Sequence, residues 1–167
     1  MRTIKFKAKT LKADEWIVGD FVCINGVTCI KPEGESDNVF PICTKVNPDT
    51  VCQFTSFLDK NGKEIYEGDV LRLDVYPCSN IGDNDIDTYY EIIGWSDKAA
   101  SFCMVAAKNP KSSARGTFDG IADGISQETM QDFEVIGNIH EEKWQQYGEY
   151  FKTEEEKEAD NDKCRRP

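Results

Sequence analysis

The stretch that most constrains this chain is Asp59-Lys60-Asn61-Gly62-Lys63-Glu64-Ile65-Tyr66-Glu67-Gly68-Asp69-Val70-Leu71-Arg72-Leu73-Asp74-Val75. Asn and Gly tolerate the positive φ of a tight hairpin, so Asn61-Gly62 predicts a turn between two strands. Glu67-Gly68-Asp69 is a second turn. Beyond it Leu71, Leu73 and Val75 alternate with Arg72 and Asp74, the period of a strand with one buried face. The stretch therefore hands the chain from one β-rich half to another.

The flanks follow the same grammar. Ile4, Phe6 and Ala8 alternate with Thr3, Lys5, Lys7 and Lys9, which predicts a half-buried strand with a basic, solvated outer face. Trp16-Ile17-Val18 and Phe21-Val22-Cys23-Ile24 are strand-forming runs separated by Gly19-Asp20, and Asn25-Gly26 predicts a hairpin into Val27-Thr28-Cys29-Ile30. Val39 to Cys43 has the pattern of a short edge strand because of Pro41. Asn47-Pro48-Asp49-Thr50 is a turn in which Asp49 or Thr50 is placed to cap a brief helical turn. Val51 to Thr55, Tyr89 to Trp95, Ser101 to Ala106 and Phe133 to Ile139 continue the β pattern. The run from Ser101, apolar on both faces, is expected near the middle of a barrel. Asn138 with Glu141 three residues on resembles a capping box for a terminal helix, on which Trp144, Tyr147 and Phe151 form one stripe. From Thr153 the chain is too charged to bury apolar surface.

Three segments result: a β-rich part over residues 1–58, an SH3-like barrel over 59–140 with a long loop at 108–131, and a C-terminal helix with an acidic tail over 141–167. The fold class is mainly β. The 20 basic and 31 acidic residues give a formal net charge of −11, which works against non-specific association with phosphate backbones. No apolar run approaches the ~20 residues that span a bilayer. Nothing at Met1 to Lys5 has the character of a signal peptide. The seven cysteines form no CxxC pair, so free thiols in a reducing cytoplasm are expected.

Chemistry-bearing motifs are weak. Asp83-Asn84-Asp85-Ile86-Asp87 opens like a calcium loop, but Thr88 stands where the turn-forming Gly belongs and Gly94 where a bidentate Glu is needed. A solvated acidic loop is the expectation, with no metal. His140 lacks the local signature of a Cys–His nucleophile. No Gly-Lys-Ser/Thr follows a strand, so no phosphate loop is present. No cofactor and no catalytic constellation is expected. Tyr89, Tyr90, Trp95 and Trp144 are the candidates for an interaction surface, against the alternative that each belongs to the core. Lys5, Lys7 and Lys9, with Lys108, Lys111 and Arg115 of the long loop, are the clusters available to phosphate.

The opening Ile4-Lys5-Phe6-Lys7-Ala8, the block Val51 to Val70, Ile93-Gly94-Trp95-Ser96-Asp97 and Phe133 to His140 resemble, in order, the YopX family of phage and prophage proteins. Against that family's pattern, Lys9 stands where an aromatic residue is usual, and Phe54 and Ser56 where Tyr and Gly are usual. The resemblance implies an all-β fold with an SH3-like C-terminal part, homo-oligomeric assembly and residence in the bacterial cytoplasm. It implies no activity. The expectation is a non-enzymatic protein-binding or oligomerising module, with a host protein as one class of partner. The alternative is a nucleic-acid-binding module using Lys5, Lys7, Lys9 and the Arg115 loop.

Overall fold

Asn25 and Gly26 take φ of 52° and 78°, the backbone of a two-residue hairpin whose twist matches its strands. They join β2 (Trp16–Ile24) to β3 (Val27–Pro32). The computed structural model describes residues 3–34, 43–75, 87–97, 99–107 and 125–145. In it β1 (Phe6–Lys9), β4 (Thr44–Lys45), β5 (Cys52–Leu58) and β6 (Glu64–Tyr66) complete an antiparallel six-stranded sheet in the order β4-β3-β2-β1-β5-β6. A second antiparallel sheet has the order β10-β7-β8-β9, from β7 (Asp69–Val75), β8 (Asp87–Ser96), β9 (Ser101–Ala107) and β10 (Glu134–Asn138). The mainly β class expected from the sequence holds. The calcium-like run and the Val39 to Cys43 run fall mostly outside the described residues, as does most of the 108–131 loop.

The organising stretch does what its turns predict. Asp59 accepts the amides of Asn61 and Lys63 on Oδ1, both at 2.8 Å, and of the Asn61-Gly62 pair it is Gly62 that takes the left-handed conformation, at φ 78°. The Asp59 side chain also accepts the amide of Val135 at 3.0 Å, while Lys60 donates its amide to the Phe133 carbonyl at 2.9 Å. The hairpin is thus fastened to β10. β6 belongs to the first sheet and β7 to the second, so the crossing falls at Glu67-Gly68. There the Gly68 amide meets the Ile93 carbonyl and its carbonyl meets the Ile139 amide.

Several local expectations change. β2 runs straight through Gly19-Asp20, because Gly19 lies against the neighbouring strand and a Cβ there would collide with the Lys31 carbonyl. The single turn Pro48–Thr50 is capped by Asn47, whose Oδ1 accepts the Asp49 amide at 3.1 Å, and not by Asp49 or Thr50. β9 ends its sheet instead of sitting in the middle. The middle is taken by β7 and β8, whose successive residues Val70, Leu71 and Ile92, Ile93 are all fully buried. Val75, expected on the buried face with Leu71 and Leu73, lies at the strand end and is exposed. Asn138 caps no helix. It is a buried residue of β10, and the chain after it makes a single turn, Glu142–Trp144, without a side-chain cap. Tyr147 and Phe151 lie outside the described residues.

The main core lies between the β5–β6 end of the first sheet and one face of the second. Ile65, Leu71, Ile93 and Met130 are fully buried there; a side chain of that kind contributes about 1.5–3 kcal/mol when taken out of water. The helical turn α1 (Gln127–Met130) brings Met130 in, and Ser126 caps it by accepting the Thr129 amide. On the opposite face Val70 and Ile92 are covered by Trp144. Trp144 fits because Gly137 has no side chain: a Cβ on Gly137 would strike the indole.

Candidate functional site

Two places bring polar and aromatic groups together. The first is the joint between the sheets. Lys5, Lys7 and Lys9, expected on a solvated face, point inward instead, with side chains 12%, 13% and 12% exposed. Lys7 pairs with Asp69, Lys5 with Glu64 and Glu33, and Lys9 with Asp14. The ammonium of Lys7 also lies 4.8 Å from the Trp16 ring and 4.9 Å from the Tyr66 ring, within the range of cation–π attraction.

Asp69 is fully buried and accepts from three parts of the chain. These are Lys7 of β1, Nδ2 of Asn138 in β10 at 2.9 Å, and the Tyr66 amide at 2.8 Å. Burial raises its carboxyl pKa, and these donors offset only part of the rise. Nδ2 of Asn138 is shared with the Glu67 carbonyl at 3.2 Å. Burial pulls Glu64 upward as well, but the hydrogen bonds from Lys5 and from the Tyr66 hydroxyl outweigh it and hold the carboxyl below its ordinary value. A cleft of about 330 Å³ opens over Lys7, Trp16, Tyr66 and Asp69. Its central charges are taken up with one another, so the arrangement reads as a structural latch.

His140 is half-buried, with its ring 6.5 Å from that of Trp16. Burial lowers its pKa, and Lys9 and Lys7 lower it further. Cys52, buried beside Asn138, has its thiol pushed up to about 12, chiefly by burial. A thiol so held is a poor nucleophile. Among the described residues no group of His, Cys, Asp and Glu has the arrangement of a metal site.

The second place is a groove of about 320 Å³ walled by Thr55, Ser56 and Phe57 of β5, by Trp95 and Phe102 across the β8–β9 turn, and by Ile125. It is built on a bulge. β5 and β6 pair at Phe54 with Tyr66 and at Leu58 with Glu64, so β5 carries extra residues between them. Thr55 bridges the bulge, donating its hydroxyl to the Ile65 carbonyl at 2.8 Å and accepting the Phe57 amide at 3.2 Å. Ser56 takes φ 77°, and its hydroxyl is buried without a hydrogen-bond partner among the described residues. Across the groove Trp95 and Phe102 oppose each other in register and meet edge to face at 5.2 Å. Phe102 belongs to the main core while Trp95 is 45% exposed, its indole N–H held by Asp97 at 3.0 Å. The groove is therefore the open mouth of the main core.

Of the four aromatic candidates, Trp95 alone is exposed. Trp144 is buried, Tyr90 is half-buried against it at 6.2 Å, and Tyr89 is half-buried opposite Leu73. Arg115, Lys108 and Lys111 lie outside the described residues. Sequence reasoning missed Ser56 and Ile125 as groove residues, and Asp59 and Asp69 as buried anchors. Position 56, where the family pattern has Gly, was the one signal available for the bulge.

The family model described as YopX protein matches residues 5–143. No curated protein matches the chain. Among solved structures, the crystal structure of protein EF1440 from Enterococcus faecalis is similar at a TM-score of 0.51 and 21% identity, over 86% of this chain and 99% of that one. A likeness at that identity shows the fold.

Proposed function

The chain belongs to the YopX family, and from that footing we propose that it is a phage- or prophage-derived, non-enzymatic interaction module. It works in the bacterial cytoplasm by seating an apolar segment of a protein partner, a host protein or another copy, in the Trp95 groove. The C-terminal sheet, read as an SH3-like barrel, supplies the rigid wall.

The observation that carries this reading is Trp95, a large aromatic side chain 45% exposed on the rim of an uncharged groove. Aromatic anchors in such settings carry a large share of binding energy. The nucleic-acid alternative loses its main support, since Lys5, Lys7 and Lys9 are ion-paired and mostly covered. The test uses the full chain as bait in host lysate, with its solution mass measured in parallel, each repeated with Trp95→Ala. Partners and self-association that disappear with Trp95→Ala are expected. The same captured set and the same mass for both chains would refute the groove.

A further inference from the structure

The two margins of the C-terminal sheet differ. At β10 the Asp59 hairpin takes up the Val135 amide and the Phe133 carbonyl. At the other margin β9 pairs, among the described residues, with β8 alone. The seven residues of β9 include no charge and no proline, and their register with β8 is unbroken from Ser101 to Ala107. Charge, proline and bulges are what keep a foreign strand off an edge, and β9 has none of them.

Two features lie along the face beside this edge. Residues paired across an antiparallel ladder share a face, and every second residue returns to it. Trp95 with Phe102, Ile93 with Met104 and Glu91 with Ala106 are therefore on one face. Trp95 and Phe102 wall the groove. Four residues along β8, about 13 Å away, Glu91 is half-buried with no hydrogen bond or ion pair among the described residues. A carboxylate so placed gives up water without gaining a counter-ion, and a cation brought by a partner recovers that loss. A strand added outside β9 would stand two strand spacings, about 10 Å, from the Glu91 backbone. Glutamate and a lysine or arginine together span that distance. The net charge of −11 likewise favours a partner that brings positive charge.

We propose that an extended segment of a different protein adds to β9 as a further strand, with an apolar side chain against Trp95 and a lysine or arginine at Glu91. This describes the partner segment and rests on the groove reading given above for its apolar anchor alone. Main-chain hydrogen bonds to β9 hold the segment, and the two anchors, four residues apart, fix its register.

The test titrates the full chain into a labelled synthetic peptide at pH 8, above the Glu91 value of about 7, and follows fluorescence anisotropy. The peptide alternates threonine with leucine, valine and lysine in turn, and is made in both sequence directions for a parallel or an antiparallel fit. One copy is N-methylated at the threonines and another at the alternate residues, which blocks one backbone edge or the other. Binding is expected in one direction, lost with one methylated copy and kept with the other, because a single backbone edge meets β9. Glu91→Gln, which keeps the side-chain shape, is expected to weaken binding at least ~10-fold, the loss of a charged hydrogen bond. Trp95→Ala is expected to weaken it ~30-fold, the loss of an anchor. Replacing the peptide's leucine with alanine reads the same contact should that variant fail to fold. No binding in either direction, like behaviour of the two methylated copies, or indifference to Glu91→Gln overturns the proposal. Lysate partners that depend on Trp95 but are not displaced by the peptide also overturn it and leave the groove reading standing. A self-associated chain that the peptide disperses puts a second copy at the edge and overturns a foreign strand. Binding that keeps its methylation pattern and Glu91 dependence in Trp95→Ala upholds the added strand and refutes the groove reading instead.

Discussion

Ser56 stands in a conformation that suits glycine, and Ser56→Gly is predicted to stabilise the protein. Its φ of 77° places Cβ against the following carbonyl, at a cost of about 1–2 kcal/mol for an L side chain. Its hydroxyl is buried without a partner among the described residues, and leaving such a group unsatisfied costs about 1–3 kcal/mol. Against these gains, Gly adds backbone freedom to the unfolded chain, a loss of about 0.5–1 kcal/mol. The balance is a net gain of at least about 1 kcal/mol, which for a chain of this length raises Tm by at least about 2–4 °C. Urea unfolding followed by circular dichroism reads this as a higher midpoint at an unchanged m value. Ser56→Ala removes the hydroxyl and keeps the strained backbone, so it falls between Ser and Gly. Ser56→Val adds a β-branched carbon at positive φ and falls below the wild type. A Gly variant less stable than wild type would refute the reasoning, showing that the Ser56 side chain contributes more than its backbone costs.

Glu91 lies on the face of Leu71 and Ile93, and burial pushes its carboxyl from 4.5 up to about 7. The folded state therefore holds the proton more tightly; stability from this group is full below about pH 4.5 and is lost as pH rises to about 7. Partial exposure reduces the effect, so Glu91→Gln is expected to gain about 1–2 kcal/mol at pH 8 and nothing at pH 4, read by melts at both pH values. At the latch, Lys7→Ala and Asp69→Asn are each expected to cost about 3–5 kcal/mol, because each leaves a buried partner unmatched. The double variant should cost less than their sum, and strict additivity in denaturant melts would contradict the pairing. Truncation after Asn138 removes Trp144 from the cover over Val70 and Ile92 and should cost about 3–5 kcal/mol. An unchanged melt would place the indole outside the core.

The hairpins were legible because their signals are local. Asn25-Gly26, Asn61-Gly62 and Glu67-Gly68 carry their turn chemistry within two or three residues, and the passage between sheets falls in the stretch where those turns cluster. Alternation was legible too, but it gives a period and not a direction. Lys5 and Lys7 face inward because Glu64 and Asp69, some sixty positions away, supply the countercharges, while Lys9 pairs with Asp14; the rings of Trp16, Phe54 and Tyr66 lie against the three ammonium groups. Gly19 looked like a turn because glycine serves both turns and close approaches, and only the neighbouring strand decides which. Trp95 and Trp144 are alike as residues. One is covered because Gly137 leaves room for its indole, a pairing without a local pattern. The groove draws on residues 55–57, 95–102 and 125, so no single window of sequence contains it.

The loop from Asp59 to Lys63 has a consequence for what the protein avoids. A terminal strand such as β10 ordinarily offers a row of unclaimed amides and carbonyls on which a foreign strand can template itself. Here the Val135 amide is claimed by the Asp59 carboxylate, and the Phe133 carbonyl by the Lys60 amide. Lys63 reaches the Val135 carbonyl at 3.4 Å. One acidic side chain thus stoppers that margin of the sheet against fibre-like stacking.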